Sequence, residues 1–148
     1  MTRVVADASI TIKWIFPFLD DEEDSAKAVA LIDGFTRGDA SLFEPPHWLA
    51  EVAAVISRKS PATAKRDIGI LCALHVPVVD TAELYALACE LAAANGQHVF
   101  DTLYHAVALL TTDCILVTAD TRYYNKARDA GAITLLRDFD PPTRERGA

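Results

Sequence analysis

Short apolar runs alternate with helical segments along the whole of this chain, and that alternation limits its fold more than any other feature. The runs are Val4-Val5-Ala6, Ser41-Leu42-Phe43-Glu44, Val76-Pro77-Val78-Val79-Asp80, Cys114-Ile115-Leu116-Val117-Thr118 and Ile133-Thr134-Leu135-Leu136. Runs that are apolar at successive positions suit strands covered on both faces. Between them, apolar residues recur at helical spacing from Ser9 to Phe16, Ser25 to Phe35, His47 to Lys59, Ser60 to about Leu74, Thr81 to Ala94, Val99 to Leu110 and Thr121 to Ala130. Strands that alternate with helices predict an α/β fold: a central, mostly parallel sheet of four to five strands with helices on both faces. No repeat or linker interrupts the pattern, so one domain is expected over residues 1–139, followed by a frayed tail over 140–148.

Composition narrows the class. The 148 residues suffice for one domain with a true core, and 51% hydrophobic content is high enough to suggest that a partner covers some apolar surface. Fourteen basic residues against 21 acidic ones give a formal charge of −7, which argues against a generic nucleic-acid coat protein. Cys72, Cys89 and Cys114 are odd in number, far apart and without a CxxC pair, and read as reduced core residues of a cytoplasmic protein. Neither a signal peptide nor a membrane-length apolar run is expected.

The chemistry is carried by four acids. Asp7 follows the first strand and Asp120 follows the fourth run, so parallel strands put both at one edge of the sheet. Glu51 is the only acid between Trp48 and Ile56, about one turn into the helix that leaves the second strand at that same edge. Asp101 opens a helix that must descend from that edge to feed the next strand. Each could be an ordinary helix cap. Four on one rim are harder to explain that way, because neighbouring carboxylates oppose each other's ionisation. Mg²⁺ or Mn²⁺, which favour carboxylate and water ligands, would resolve the conflict. None of the four histidines has metal-ligand spacing. Lys13, Arg122 and Lys126 are candidate phosphate contacts, with solvated helix faces as the plain alternative. The segment from Thr81 to Ala94 is apolar nearly all round, which suggests burial on two sides, one of them a subunit interface.

The set Asp7-Ala8-Ser9 with Lys13-Trp14, Glu51-Val52-Ala53, Phe100-Asp101 with Tyr104-His105-Ala106-Val107-Ala108, and Thr118-Ala119-Asp120 resembles the PIN-domain nucleases, in particular the VapC-type toxins of toxin–antitoxin pairs. The resemblance spans Val4 to about Leu136. It implies a PIN-like nuclease domain, a Mg²⁺- or Mn²⁺-holding acidic site and endonucleolytic cleavage of RNA. It also implies a homodimer inhibited by a cognate antitoxin protein. Asp7, Glu51, Asp101 and Asp120 match the family's acidic, catalytic positions; Ser9 and Thr118 match small hydroxyl positions beside them. Asp7 and Asp101 are expected as principal metal ligands. Two rivals stand beside this reading: a phosphotransfer enzyme or phosphatase of another α/β class with an aspartyl nucleophile, and a non-catalytic binding module on the same fold.

Overall fold

β1 (Thr2–Ala6) lies inside a four-stranded parallel sheet, flanked by β2 (Ala40–Leu42) on one side and β3 (Cys114–Thr118) on the other; β4 (Ile133–Leu135) pairs with β3. The computed structural model describes residues 1–18 and 22–142. Strand order is β2-β1-β3-β4. The chain therefore leaves β1 towards β2, and returns to build β3 and β4 on the opposite side. Between β1 and β3 the strand order reverses, and the crevice outside the carboxyl ends of strands at such a point is where open α/β sheets place ligands.

Side chains alternate across the sheet as strand geometry requires. Val4, Ala6 and Val117 point to one face, where they meet α1 (Ala8–Ile15) and α2 (Glu22–Arg37) through Ile10, Ala28 and Leu31. Val5, Cys114 and Leu116 point to the other. There α3 (Trp48–Lys59), α4 (Ala64–Ala73), α5 (Ala82–Asn95), α6 (Val99–Leu110) and α7 (Thr121–Ala127) supply Trp48, Val52, Leu71, Leu84, Tyr104, Val107 and Tyr123. Burying both faces accounts for the unbroken apolar strands seen in the sequence.

Local signals explain most boundaries. Thr81 caps α5 by accepting a hydrogen bond from Leu84 N at 3.1 Å, and Gly96 ends that helix in the left-handed region at φ 61°, which glycine adopts without strain. Asp7 and Asp120 cap α1 and α7 through Ile10 N and Tyr123 N.

Two sequence expectations change. Val76–Asp80 is not a sheet strand; it makes one isolated bridge, Val78 to Glu44, with Glu44 N donating to Pro77 O and Val79 N donating to Glu44 O. Pro45, Pro46 and Pro77 lack the N–H groups a longer ladder would need. Cys72 and Cys89 are exposed, and only Cys114 is buried, because α4 and α5 each turn one face outward. α5 itself buries Leu84, Ala88 and Leu91, while Tyr85, Ala86, Cys89 and Ala93 face outward. Of the acidic run at 20–24, Asp20 and Asp21 lie outside the described residues. So does 143–148 of the expected tail, whose start packs on α2: Arg37 donates to Pro142 O at 3.4 Å. Among the described residues no helix is long and apolar enough to cross a membrane.

Candidate active site

Asp7 follows the last residue of β1 and is fastened from three directions. Its Oδ1 accepts from Ile10 N at 3.3 Å and from the Ser9 hydroxyl; its Oδ2 accepts from the Thr118 hydroxyl at the tip of β3. These hydroxyls are themselves held, since Ala119 N donates to Ser9 Oγ at 3.2 Å and Asp120 N donates to Thr118 Oγ1 at 3.0 Å. The strand tips of β1 and β3 are thus stitched together around one carboxylate. Asp120 Oδ1 accepts from Tyr123 N at 3.0 Å. Capping and site-building are not alternatives here: the same aspartates do both.

Glu51 stands one turn into α3, whose first turn is anchored by Trp48, with its indole N–H donating to Thr11 Oγ1 at 3.0 Å. Asp101 occupies the first turn of α6, where a carboxylate is favoured by the helix dipole. Asp7, Glu51, Asp101 and Asp120 line one pocket of about 120 Å³, together with Ser9, Tyr104, Leu116 and Tyr123. Thr118 completes the set through its bond to Asp7.

Burial raises the Asp7 carboxyl to about 6; its hydrogen bonds pull the other way, and the neighbouring Glu51 charge adds to the rise. Asp101 is also raised, first by burial and then by Glu51 and Asp120, with His98 and His47 opposing. Asp7 and Asp101 are thus costly to ionise where they stand, so the pocket favours a cation.

The site also holds residues that are not among the sequence's candidate catalytic or binding positions. Glu44 is fully buried, its Oε1 accepting from Ala6 N at 3.1 Å while Oε2 has no hydrogen-bond partner among the described residues. Desolvation holds its carboxyl well above the ordinary range, reinforced by Asp7 and Glu51. The sequence shows only an acid at a strand end before Pro45-Pro46, with nothing to signal burial. Tyr104 walls the pocket with a buried hydroxyl that has no hydrogen-bond partner among the described residues. Tyr123 is positioned by His105. The His105 Nε2–H must donate to Gly131 O (2.6 Å), a carbonyl that can only accept, so Nδ1 accepts from the Tyr123 hydroxyl at 3.0 Å. Burial lowers the His105 pKa, in the direction that pattern favours, against the opposing Gly131 hydrogen bond.

Because burial disfavours the charged form of Glu44, Glu44→Gln should change stability by less than about 1 kcal/mol. Glu44→Ala should cost about 3 kcal/mol, through a cavity and an unpaired Ala6 N–H. Chemical denaturation of the two variants checks this; a Glu44→Gln loss as large as that of Glu44→Ala would show that the carboxylate charge is needed.

The PIN-domain family model matches residues 4–129, most of the chain and all four acids. The chain is a PIN domain. Among curated proteins, none matches this sequence significantly. Two solved structures share the fold at 16% identity: PAE2754 from Pyrobaculum aerophilum, with a TM-score of 0.63 over 91% of this chain and 90% of that one; and VapBC2 from Rickettsia felis, bound to a promoter DNA fragment, with a TM-score of 0.59 over 90% of this chain and 97% of that one. PIN domains are generally nucleases that use divalent metals.

Whether this PIN domain's residues suit such a metal can be judged from the pocket. Among the described residues, no three His, Cys, Asp or Glu side chains are gathered into a ready metal-binding group. Four carboxylates line the pocket instead, and hard oxygen donors of that kind suit Mg²⁺ or Mn²⁺. Mg²⁺ in particular keeps several waters and needs only one or two carboxylates. The donor set fits.

Of the three candidate phosphate contacts, the PIN domain brings only Lys13 to the site. Lys13 is largely buried and lines a groove with Ser9, Glu51 and Asp120 that continues from the acidic pocket. Arg122 and Lys126 are exposed on α7 and line neither space.

Proposed function

We propose that this PIN domain is a Mg²⁺- or Mn²⁺-dependent endoribonuclease of the VapC toxin type, with residues 1–139 as its catalytic domain, acting in the cytoplasm. One observation carries the reading: carboxylates from four separate places in the chain line a single pocket at the sheet's switch point. A structural capping role would not require them to share a cavity.

Asp7 and Asp101 are the principal metal ligands, and Glu51 and Asp120 complete the cluster. A divalent cation bound there would lower the pKa of a water and neutralise charge on the scissile phosphate. The chain's own residues set the geometry. Ser9, Thr118 and Ile10 N hold Asp7 so that it loses little freedom on binding. The His47 Nε2–H, donated to Phe100 O at 2.8 Å, also lies 3.4 Å from Glu51 Oε2 and steadies that carboxylate at the rim. Tyr104 and Tyr123 wall off the inner side and limit solvent. Lys13 meets a phosphate of the RNA in the adjoining groove; Arg122 and Lys126 contact the strand further out.

The fold shared with VapBC2 supports a cognate antitoxin as protein partner. The outward face of α5 supports a homodimer, for which light scattering should give twice the chain mass at tens of micromolar (roughly the range expected of a standard interface). A monomer there would remove the dimer from the proposal.

The test is cleavage of an end-labelled single-stranded RNA, with p-nitrophenyl phosphate assayed in parallel. Internal cuts that need Mn²⁺ and stop in EDTA are expected, with no phosphatase turnover. Phosphatase turnover without RNA cleavage would favour the phosphotransfer alternative, and neither activity would favour a binding module.

A further inference from the structure

Beside the acidic pocket lies a second, more open space of different chemistry. His47, Ala50, Glu51 and Phe100 line a space of about 240 Å³ at the outer rim. Phe100 is 65% exposed, which is unusual for a phenylalanine next to a row of buried residues on the same helix. Its backbone is fixed by the His47 Nε2–H at 2.8 Å, and the His47 ring lies 5.5 Å from the Phe100 ring at a 43° tilt. The other side of His47 meets Tyr104, ring to ring at 4.8 Å, and Tyr104 lines the acidic pocket. An aromatic path therefore runs from the lip to the carboxylates. Two links make it continuous with the acids: Glu51 lines both spaces, and Phe100 immediately precedes Asp101.

We propose that the His47–Phe100 rim is a nucleobase site: the base flanking the scissile phosphate of a single-stranded RNA stacks on Phe100. This rests on the ribonuclease reading above and names how that substrate is gripped. The charge balance favours it. A chain of formal charge −7 with four acids in its pocket gains less from phosphate attraction than a basic protein does, so contacts that do not depend on charge add to those of Lys13 near the cut. Stacking on an aromatic ring supplies such contacts and tolerates any base, because every base has a π-face. A protein occupant, whether a second copy or an inhibitor, is the competing outcome.

The experiment uses the full chain and its Phe100→Ala, Phe100→Leu and Phe100→Trp variants. One arm follows cleavage of an RNA with Mn²⁺, using an intact substrate and one made abasic next to the cut. Phe100→Ala should raise KM about 10-fold with kcat little changed, within the roughly 5- to 150-fold worth of one stacked base. Phe100→Trp should restore the parental KM, and Phe100→Leu should not. The abasic substrate should be weakened for the parent and not further weakened for Phe100→Ala. The second arm measures quenching of a 2-aminopurine-labelled RNA in EDTA, which needs no cleavage: the parent should quench it and Phe100→Ala should not. If the parent fails to cleave, the ribonuclease reading falls, and this arm still decides the base site. A parental KM in Phe100→Ala, full activity in Phe100→Leu, or loss of the dimer on Phe100→Ala would each overturn the proposal, the last by making the rim an interface between copies.

Discussion

Asp7→Asn should reduce RNA cleavage by about 10³-fold, equivalent to about 4 kcal/mol of transition-state stabilisation, while the protein stays folded. The substitution preserves shape and can still accept from Ile10 N, so the cap on α1 survives; aspartate and asparagine are comparable caps. What it removes is a full negative charge and one strong oxygen ligand. At Oδ2, an amide nitrogen would face the Thr118 hydroxyl, which already accepts from Asp120 N and would have to turn its proton elsewhere. A modest loss, on the order of 1 kcal/mol, is expected from that rearrangement. It is offset in part by relief of repulsion with Glu51. Asp101→Asn should behave alike in cleavage, and without the hydroxyl mismatch should be at least as stable as the parent in EDTA. Melting curves paired with the cleavage assay separate lost chemistry from lost fold. Near-parental cleavage by Asp7→Asn would mean that its carboxylate serves α1 and nothing more.

Metal-free protein should lose stability as pH rises, the reverse of the usual behaviour of paired carboxylates. The unfolded chain ionises Asp7 near pH 4, whereas in the fold burial delays ionisation to about 6. Between those values unfolding releases a proton, so stability is fully present below about pH 4 and is lost as pH climbs through 6. Asp101 and Glu44 shift in the same direction and extend the decline, Glu44 towards higher pH. The Asp7 contribution alone is up to about 3 kcal/mol. Mn²⁺ should oppose the trend, because it rewards the ionised carboxylates: at 100 times its dissociation constant it adds about 2.7 kcal/mol, a rise in Tm of roughly 5–10 °C for a chain of this size. The gain should shrink at pH 5, where Asp7 is protonated. Scanning calorimetry at pH 5 and 7.5, with EDTA and with Mn²⁺, reads all four states. A flat pH response in EDTA would show that burial in the fold does not raise these carboxyls.

Much of this was legible before any coordinates. The order of apolar runs and helices fixes a parallel sheet, and a parallel sheet puts Asp7 and Asp120 at one edge whatever the loop geometry. Asp101 and Glu51 follow from which way their helices must run. Composition could not settle which apolar run becomes a sheet strand. Val76–Asp80 reads as well as Ile133–Leu136, but prolines on both sides of the would-be ladder leave it with one bridge. Helix faces were also ambiguous, since α5 is apolar all round and only packing decides that Leu84, Ala88 and Leu91 turn inward. Glu44 was the hardest to foresee: an acid at a strand end reads as a surface residue, and its burial follows only from where β1 and the bridge segment meet. His105 likewise shows no metal-ligand spacing; its bond to Tyr123 depends on a tertiary contact that spacing does not encode.

The central claim is that these carboxylates jointly hold a divalent cation. It is tested most directly by titrating the protein with Mn²⁺ and following the electron paramagnetic resonance of the free ion. The parent should deplete that signal to a saturable stoichiometry, while Asp7→Asn and Asp101→Asn, folded by circular dichroism, should deplete it little at the same concentrations. Equal depletion by the parent and both variants, or none by the parent at millimolar Mn²⁺, would contradict the account.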